Sequence, residues 1–312
     1  MDKYIIGIDI GGTNFRIGMI RSDGTLKNFI RTKSSILQNN DNQSLIKLED
    51  YIENYIGKYL DGKLLAISVG FPSTVSKDKK TVLQTPNIKG FDNINVADPL
   101  SQRFNVPVYV TKDVHSLLLF DIMKFKLDPN LTIIGFYVGT GFGNSIYLNG
   151  SFLYGKNGVA GELGHIPTFD MSRQCGCGNK GCIELFAGGK NLVNIQEKYF
   201  GDLDISKIFT IHSNHEIILE YINYISLPIA TEINIFDPDC VVIGGGIIEM
   251  ENFPIARLEE DIRFHVRKPY PANNLKIIYS NHNQKAGVLG AAYYGFKELK
   301  LEVGKKKVQL VI

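Results

Sequence analysis

Apolar residues recur along this chain at two periods, and the switches between them mark its elements. Residues 3–10, KYIIGIDI, form an apolar run with Asp9 near its end, followed by Gly11-Gly12-Thr13-Asn14. FRIGMI resumes a strand pattern, Ser22-Asp23-Gly24-Thr25 reads as a hairpin turn, and LKNFIRTK returns. The chain therefore opens as a β-hairpin unit whose first turn is glycine-rich and polar. In residues 43–60, Leu45, Leu48, Ile52, Tyr55, Ile56 and Tyr59 fall at three- and four-residue spacing, the signature of an amphipathic helix. LLAISVG (64–70) is a short buried strand running into the loop Gly70-Phe71-Pro72-Ser73. A helix follows around 95–104, then a second buried strand, VPVYVTKD (106–113), with Asp113 where it ends and a helix at 114–125 begins. Alternating strands and helices point to a mostly parallel α/β sheet.

After the break at Asp128-Pro129-Asn130 the opening pattern returns. LTIIGFYVG (131–139) runs into Gly139-Thr140-Gly141, and SIYLNGSFL resumes as strand. This self-similarity suggests two related domains, each headed by a strand, a glycine turn and a strand. Helices are predicted at 188–199, 214–236 and 255–267, with strands at 240–246 and 275–279 and a small-residue helix from Lys285 through GVLGAAYYGF. The expected domains are 1–113 with about 285–312, and 114–284.

Composition narrows the function. The 312 residues are 44% hydrophobic and 21% charged, with a net charge of +2, an ordinary globular balance without the basic footprint of a nucleic-acid binder. Lys305, Lys306 and Lys307 read as a solvated end. About six apolar residues precede the first glycine-and-acid interruption, too short for a signal or membrane segment, so a cytoplasmic chain is expected. Of four cysteines, three crowd into eight residues, which suits a metal site in a reducing compartment better than a disulfide framework.

The densest chemistry lies between Gly158 and Glu184. His165, Cys175, Cys177 and Cys182 are the donor set of a tetrahedral Zn²⁺ site, and four protein ligands leave no open position, so the metal reads as structural. Gly176, Gly178 and Gly181 would let the loop fold back on itself. Glu162 and Glu184 flank the cluster, as carboxylates able to accept from the vicinal hydroxyls of a polyhydroxylated ligand. Two further features carry alternatives. The turns 9–14 and 139–144 are either ordinary hairpin turns or phosphate cradles in which glycine admits a positive φ, with Asp9 holding Mg²⁺ through water. Gly244–Gly246 either packs a strand against a helix or lets a base or ribose lie on the backbone. Asp113, at the carboxyl end of a buried strand, is either a helix N-cap or a general base for a hydroxyl attacking phosphorus. His115 stands two residues beyond it; the other histidines and Cys240 read as structural.

DIGGTNFRIG, the GTG turn, GELGH, CGCGNKGCIE and VVIGGG, in this order, resemble the ROK group of repressors and sugar kinases, from Tyr4 to about Leu299. GFPSTVSKDKKTVLQTPN and TKDVHSL are most similar to the bacterial D-allose kinases of that group. The resemblance implies an α/β, two-domain actin-like ATPase fold (ribonuclease H-like) with a structural zinc knuckle, the C-terminal helix packing back on the first domain. It implies ATP-dependent phosphorylation of a hexose hydroxyl, at O6, with D-allose as the expected substrate. Glucokinase, N-acetylmannosamine kinase and fructokinase activities are the alternatives, and a non-catalytic sugar-binding or sugar-responsive regulator is the alternative of another class.

By position, Asp113 matches the family's base, and Asn87, Glu162, His165 and Glu184 its sugar contacts. His165, Cys175, Cys177 and Cys182 match its zinc ligands. Asp9, Gly11, Gly12, Thr13, Asn14, Gly139, Thr140 and Gly141 match phosphate and Mg²⁺ contacts, and Gly244 and Gly245 the adenosine side. The cofactors implied are ATP, Mg²⁺ and Zn²⁺. The partners are small molecules, with no nucleic acid or membrane, and a homodimer is the family-level expectation. Four positions depart from the pattern: Lys112 and His115 replace asparagines around the base, Ser73 replaces the glycine after Pro72, and Asn144 stands where many members have glycine. Lys112 brings a cation to a sugar-contacting position, which favours allose over glucose.

Overall fold

A computed structural model describes residues 1–38, 43–85 and 88–303. The chain gathers into two compact units, one formed by residues 1–130, 149–160 and the chain from 283 on, the other by 131–148 and 161–282. Asn87 and the Lys305–Lys307 run lie outside the described residues.

In the first unit β1 (Lys3–Ile10), β2 (Asn14–Arg21) and β3 (Leu26–Lys33) form an antiparallel meander. Helix α1 (Ser44–Tyr59) then leads to β4 (Lys63–Phe71), which pairs parallel to β1. The short strands β5 (Thr74–Val75), β6 (Thr81–Gln84) and β7 (Ile94–Asn95) make a separate small sheet. After α2 (Ala97–Phe104), β8 (Val108–Lys112) pairs parallel to β4 and α3 (Asp113–Phe125) follows. The main sheet order is β3–β2–β1–β4–β8.

Strand alternation divides β1 between two cores. Tyr4, Ile6, Ile8 and Ile10 share one with Leu48, Ile52 and Tyr55 of α1. Ile5 lies in the other, with Val288, Ala292 and Phe296 of the C-terminal helix (Ala286–Glu298). That helix approaches the sheet closely: a Cβ at Gly7 would overlap the Val288 carbonyl, and one at Gly290 would overlap the Ser116 carbonyl of α3. The small residues of GVLGAAYYG are therefore a packing surface. Because α3 packs on this helix, it belongs to the first unit, as does 149–160, whereas the sequence suggested a boundary at Asp113.

The second unit repeats the plan. Strands β9 (Ile133–Val138) and β10 (Phe142–Leu148) are antiparallel, the strand Cys240–Gly244 pairs parallel to β9, and Ile277–Tyr279 pairs parallel to that. The order and directions match β2–β1–β4–β8. The helix Glu216–Phe236 packs on the helix Ile255–His265. The helix expected over 188–199 is α-helical at Gly189–Ile195 and continues as one π turn, Gln196–Phe200. Among the described residues no helix is long and apolar enough to cross a membrane.

Replacing Gly290 by Ala should cost about 1–3 kcal/mol, the usual price of overpacking a close contact. Gly57→Ala, on an exposed stretch of α1 where a Cβ meets nothing within 4 Å, should add up to about 1 kcal/mol. Denaturant unfolding of both variants checks this; equal effects would contradict the packing account.

Candidate functional site

At the carboxyl edge of the first sheet, Asp9 of β1 is in register with Gly70 of β4, and Gly70 with Thr111 of β8. Asp9 and Thr111 are thus two strand spacings, roughly 10 Å, apart. Asp113 lies just past that edge, as the first residue of α3. Lys112, not Asp113, occupies the cap position, and it makes no side-chain cap bond. Asp113 Oδ1 accepts the Val114 N–H at 2.7 Å. The N-cap reading of Asp113 is therefore not the one this geometry supports.

Asp9 is held by Arg16, whose Nη1 donates to Oδ2 at 2.7 Å. Burial raises the Asp9 carboxyl above the usual range and Arg16 counteracts this. Arg16 lies directly opposite Asp9 in the hairpin register, a pairing readable from the turn between them but missed in the sequence. In the turn itself the Gly11 N–H donates to Asn14 O, and Arg31 Nε donates to Asn14 Oδ1. Gly11, Gly139 and Gly141 do not adopt positive φ, so the expected conformational reason for glycine fails at these positions.

Lys112 and His115 are both buried. Lys112 Nζ donates to Ala160 O at 3.2 Å. The His115 ring stacks on Phe152 at 4.4 Å and meets Tyr154 edge-on. Burial first, then Lys112 and Lys79, hold His115 well below the ordinary imidazole range, so it is neutral.

In the second unit Gly139–Gly141 and Gly244–Gly245 sit at the ends of neighbouring parallel strands, with Gly244 in register with Tyr137. Gly245 has φ +99°, and a Cβ there would lie 2.5 Å from the Val138 carbonyl oxygen; strand packing alone requires this glycine. Gly141 has a different reason. Glu184 lies against it so closely that a Cβ would overlap the carboxylate, whose Oε2 accepts the Phe142 N–H at 2.9 Å. Glu162 precedes the 3-10 turn Leu163–His165 and its carbonyl accepts the His165 N–H.

His165, Cys175, Cys177 and Cys182 offer ligand atoms all within 4.8 Å of one another. Cys177 and Cys182 sulfurs are 3.6 Å apart, and His165 Nδ1 is 3.7 Å from Cys175 Sγ. A disulfide needs about 2.05 Å, whereas tetrahedral bonds of about 2.3 Å set sulfurs roughly 3.8 Å apart. The donor set therefore fits Zn²⁺. Burial, then Cys177 and Cys175, push the Cys182 thiol up, and a bound cation would favour its thiolate form. Gly178 and Gly181 take φ +99° and +69°. Gly176 does not, and a Cβ there meets nothing within 4 Å, so nothing in the structure explains that glycine. His165 Nε2, on the other side of the ring, faces Glu162 Oε2 at 3.8 Å.

A sequence profile described as the ROK family matches residues 5–297. The chain belongs to the ROK family. It is 23% identical to the glucokinase of Thermotoga maritima over 92% of this chain and 96% of that one. It is 28% identical to the xylose repressor of Caldicellulosiruptor bescii over 92% of this chain and 76% of the repressor. A ROK family glucokinase from Streptomyces griseus, solved with glucose and AMPPNP, superposes with a TM-score of 0.75 at 22% identity, covering 93% and 98% of the two chains. The fold is the actin-like one of this ROK structure.

A buried polar pair in the second unit lies outside the ROK motifs. Asn144 of β10 is buried and its Nδ2 donates to Glu232 Oε2 at 2.6 Å. Glu232 is 4% exposed, and burial pushes its carboxyl up to about 7 against an ordinary 4.5. A raised folded-state value means the stabilisation is complete below the unfolded value and is lost as pH rises to 7, a cost of about 3 kcal/mol. Glu232→Gln should therefore gain stability relative to the unsubstituted ROK chain between pH 5 and pH 8. Paired thermal melts test this, and a difference that does not vary with pH would contradict a titrating Glu232.

Proposed function

We propose that this ROK chain is an ATP-dependent hexose kinase with Asp113 as its general base. The observation that carries the reading is the position of Asp113, just beyond the carboxyl ends of three parallel strands and level with the Asp9 turn. Open α/β sheets bind ligands at such edges. The attacking hexose oxygen forms a bond to the γ-phosphorus of ATP, the bond to the bridging oxygen breaks, ADP leaves, and the hydroxyl proton passes to the Asp113 carboxylate. Mg²⁺, when bound, neutralises charge on the transferring phosphoryl group; Asp9, with the 11–14 turn, is the group that would hold it through water. Gly139–Gly141 and Gly244–Gly245 serve the phosphate and adenosine ends of the nucleotide.

Glu162, His165 and Glu184 hold the sugar. With Nδ1 given to a metal, His165 keeps its proton on Nε2 and presents a donor beside the Glu162 acceptor. Glu184 gives one oxygen to the Phe142 N–H, which leaves the other for a hydroxyl. The metal is zinc, held structurally by His165, Cys175, Cys177 and Cys182. Asn87 and Lys112 complete the sugar contacts. Within the hexoses we assign D-allose, phosphorylated at O6, on the resemblance of 70–87 and 111–117 and on the buried cation next to the base. The partners are small molecules rather than nucleic acid, in a cytoplasmic protein; a homodimer is proposed from the family alone. A regulatory reading has the xylose repressor match in its favour but gives Asp113 no task.

Asp113→Asn should lower kcat by roughly 10²–10⁴ while hexose binding by calorimetry persists; unchanged turnover would remove Asp113 from the base role. An ATP-consumption screen over allose, glucose, mannose, fructose and N-acetylmannosamine tests the substrate, and preference for another sugar overturns D-allose. Stripping the metal should weaken hexose affinity before ATP affinity, as measured by calorimetry on treated and zinc-restored protein. Hexose affinity that survives removal would contradict the scaffold role of the cluster.

A further inference from the structure

The helix Glu216–Phe236 carries a carboxylate in its buried face, next to Ile229 and Ile233, both fully buried. Asn144 Nδ2 reaches this Glu232 at 2.6 Å and the Gly135 carbonyl at 3.3 Å. The other end of the amide, Oδ1, is buried, has no hydrogen-bond partner, and lies 2.8 Å from where a Cβ of residue 161 would stand. Gly161 has φ +78°, so glycine is required there both by conformation and by the Asn144 oxygen beneath it. The next residue is Glu162, whose carbonyl starts the turn that ends at His165.

Two polar groups inside an apolar layer are a poor choice for stability alone, because an apolar pair of similar shape is commonly neutral or better. What the pair supplies is a fixed height for Gly161: the helix carboxylate holds the amide, and the amide sits under the turn. We propose that Asn144 and Glu232 are positioning residues for the hexose site, fixing the Gly161 turn and through it the reach of Glu162 and His165 to the sugar. This rests on the reading of those two residues as hexose ligands. Neither Asn144 nor Glu232 touches the reacting atoms.

The test uses the full-length, zinc-loaded chain with D-allose and D-glucose as probes. Asn144→Gly removes the prop, and Glu232→Leu leaves the amide unpaired among apolar groups. The double variant Asn144→Gly with Glu232→Leu removes both polar groups, so its thermal stability should recover relative to Glu232→Leu, which leaves a buried amide unpaired. Its hexose KM should nonetheless stay raised, roughly ten- to a hundredfold, with the ATP KM and saturated kcat little changed. A hexose KM that returns with stability would make the pair packing only and overturn the proposal. Amide hydrogen exchange, which does not depend on turnover, should quicken over 161–166 in both variants that lack Asn144, and not over 175–182. Unchanged exchange overturns the prop itself. Faster exchange with an unmoved hexose KM instead overturns Glu162 and His165 as hexose ligands, so the two failures are distinguishable.

Discussion

The hydrogen bond from the Phe142 amide to the Glu184 carboxylate ties the second unit's features together. Glu184 begins a short helix two residues after Cys182, so whatever orders the cysteine loop also orders the carboxylate. The same carboxylate fills the space over Gly141 and fixes the glycine turn at the end of β9. Gly164 packs against Glu184 as well, which brings the His165 turn to the same point. The cysteine–histidine cluster, the acid and the turn are thereby packed on one another.

The first unit meets a different constraint. The carboxyl edge of its sheet carries Asp9, Arg16, Lys112 and His115 in largely buried positions, and buried charge is costly unless matched. Asp9 is matched by Arg16, and Lys112 by the Ala160 carbonyl. His115 avoids the problem by staying neutral among Phe152 and Tyr154. The segment 149–160 supplies the partners of Lys112 and His115 and folds with the first unit. Tyr154 extends the same cluster through its hydroxyl contact with Tyr294 of the C-terminal helix at 2.6 Å.

Much of this was legible along the chain. Hairpin turns, the α1 stripe, the small-residue C-terminal helix and the repeated strand–turn–strand heads all rest on local periodicity, and local periodicity reports faithfully which side of an element is buried. The cysteine spacing likewise marked a cluster, and the fold brings His165, Cys175, Cys177 and Cys182 together as a donor set that fits a metal. The glycine turns were less transparent. Gly141 leaves room for Glu184, forty-three positions later in the chain, and Gly245 combines a φ of +99° with close approach to the Val138 backbone.

The sequence by itself determined the elements, the His–Cys donor set and the family, because each depends on residues close together or on motifs in fixed order. Tertiary structure decided which residues share a unit, which charges are neutralised, and why particular glycines are there. It alone joined Asn144 to Glu232, eighty-eight residues apart, since the cost of burying one polar group is settled by whichever partner the fold delivers to it.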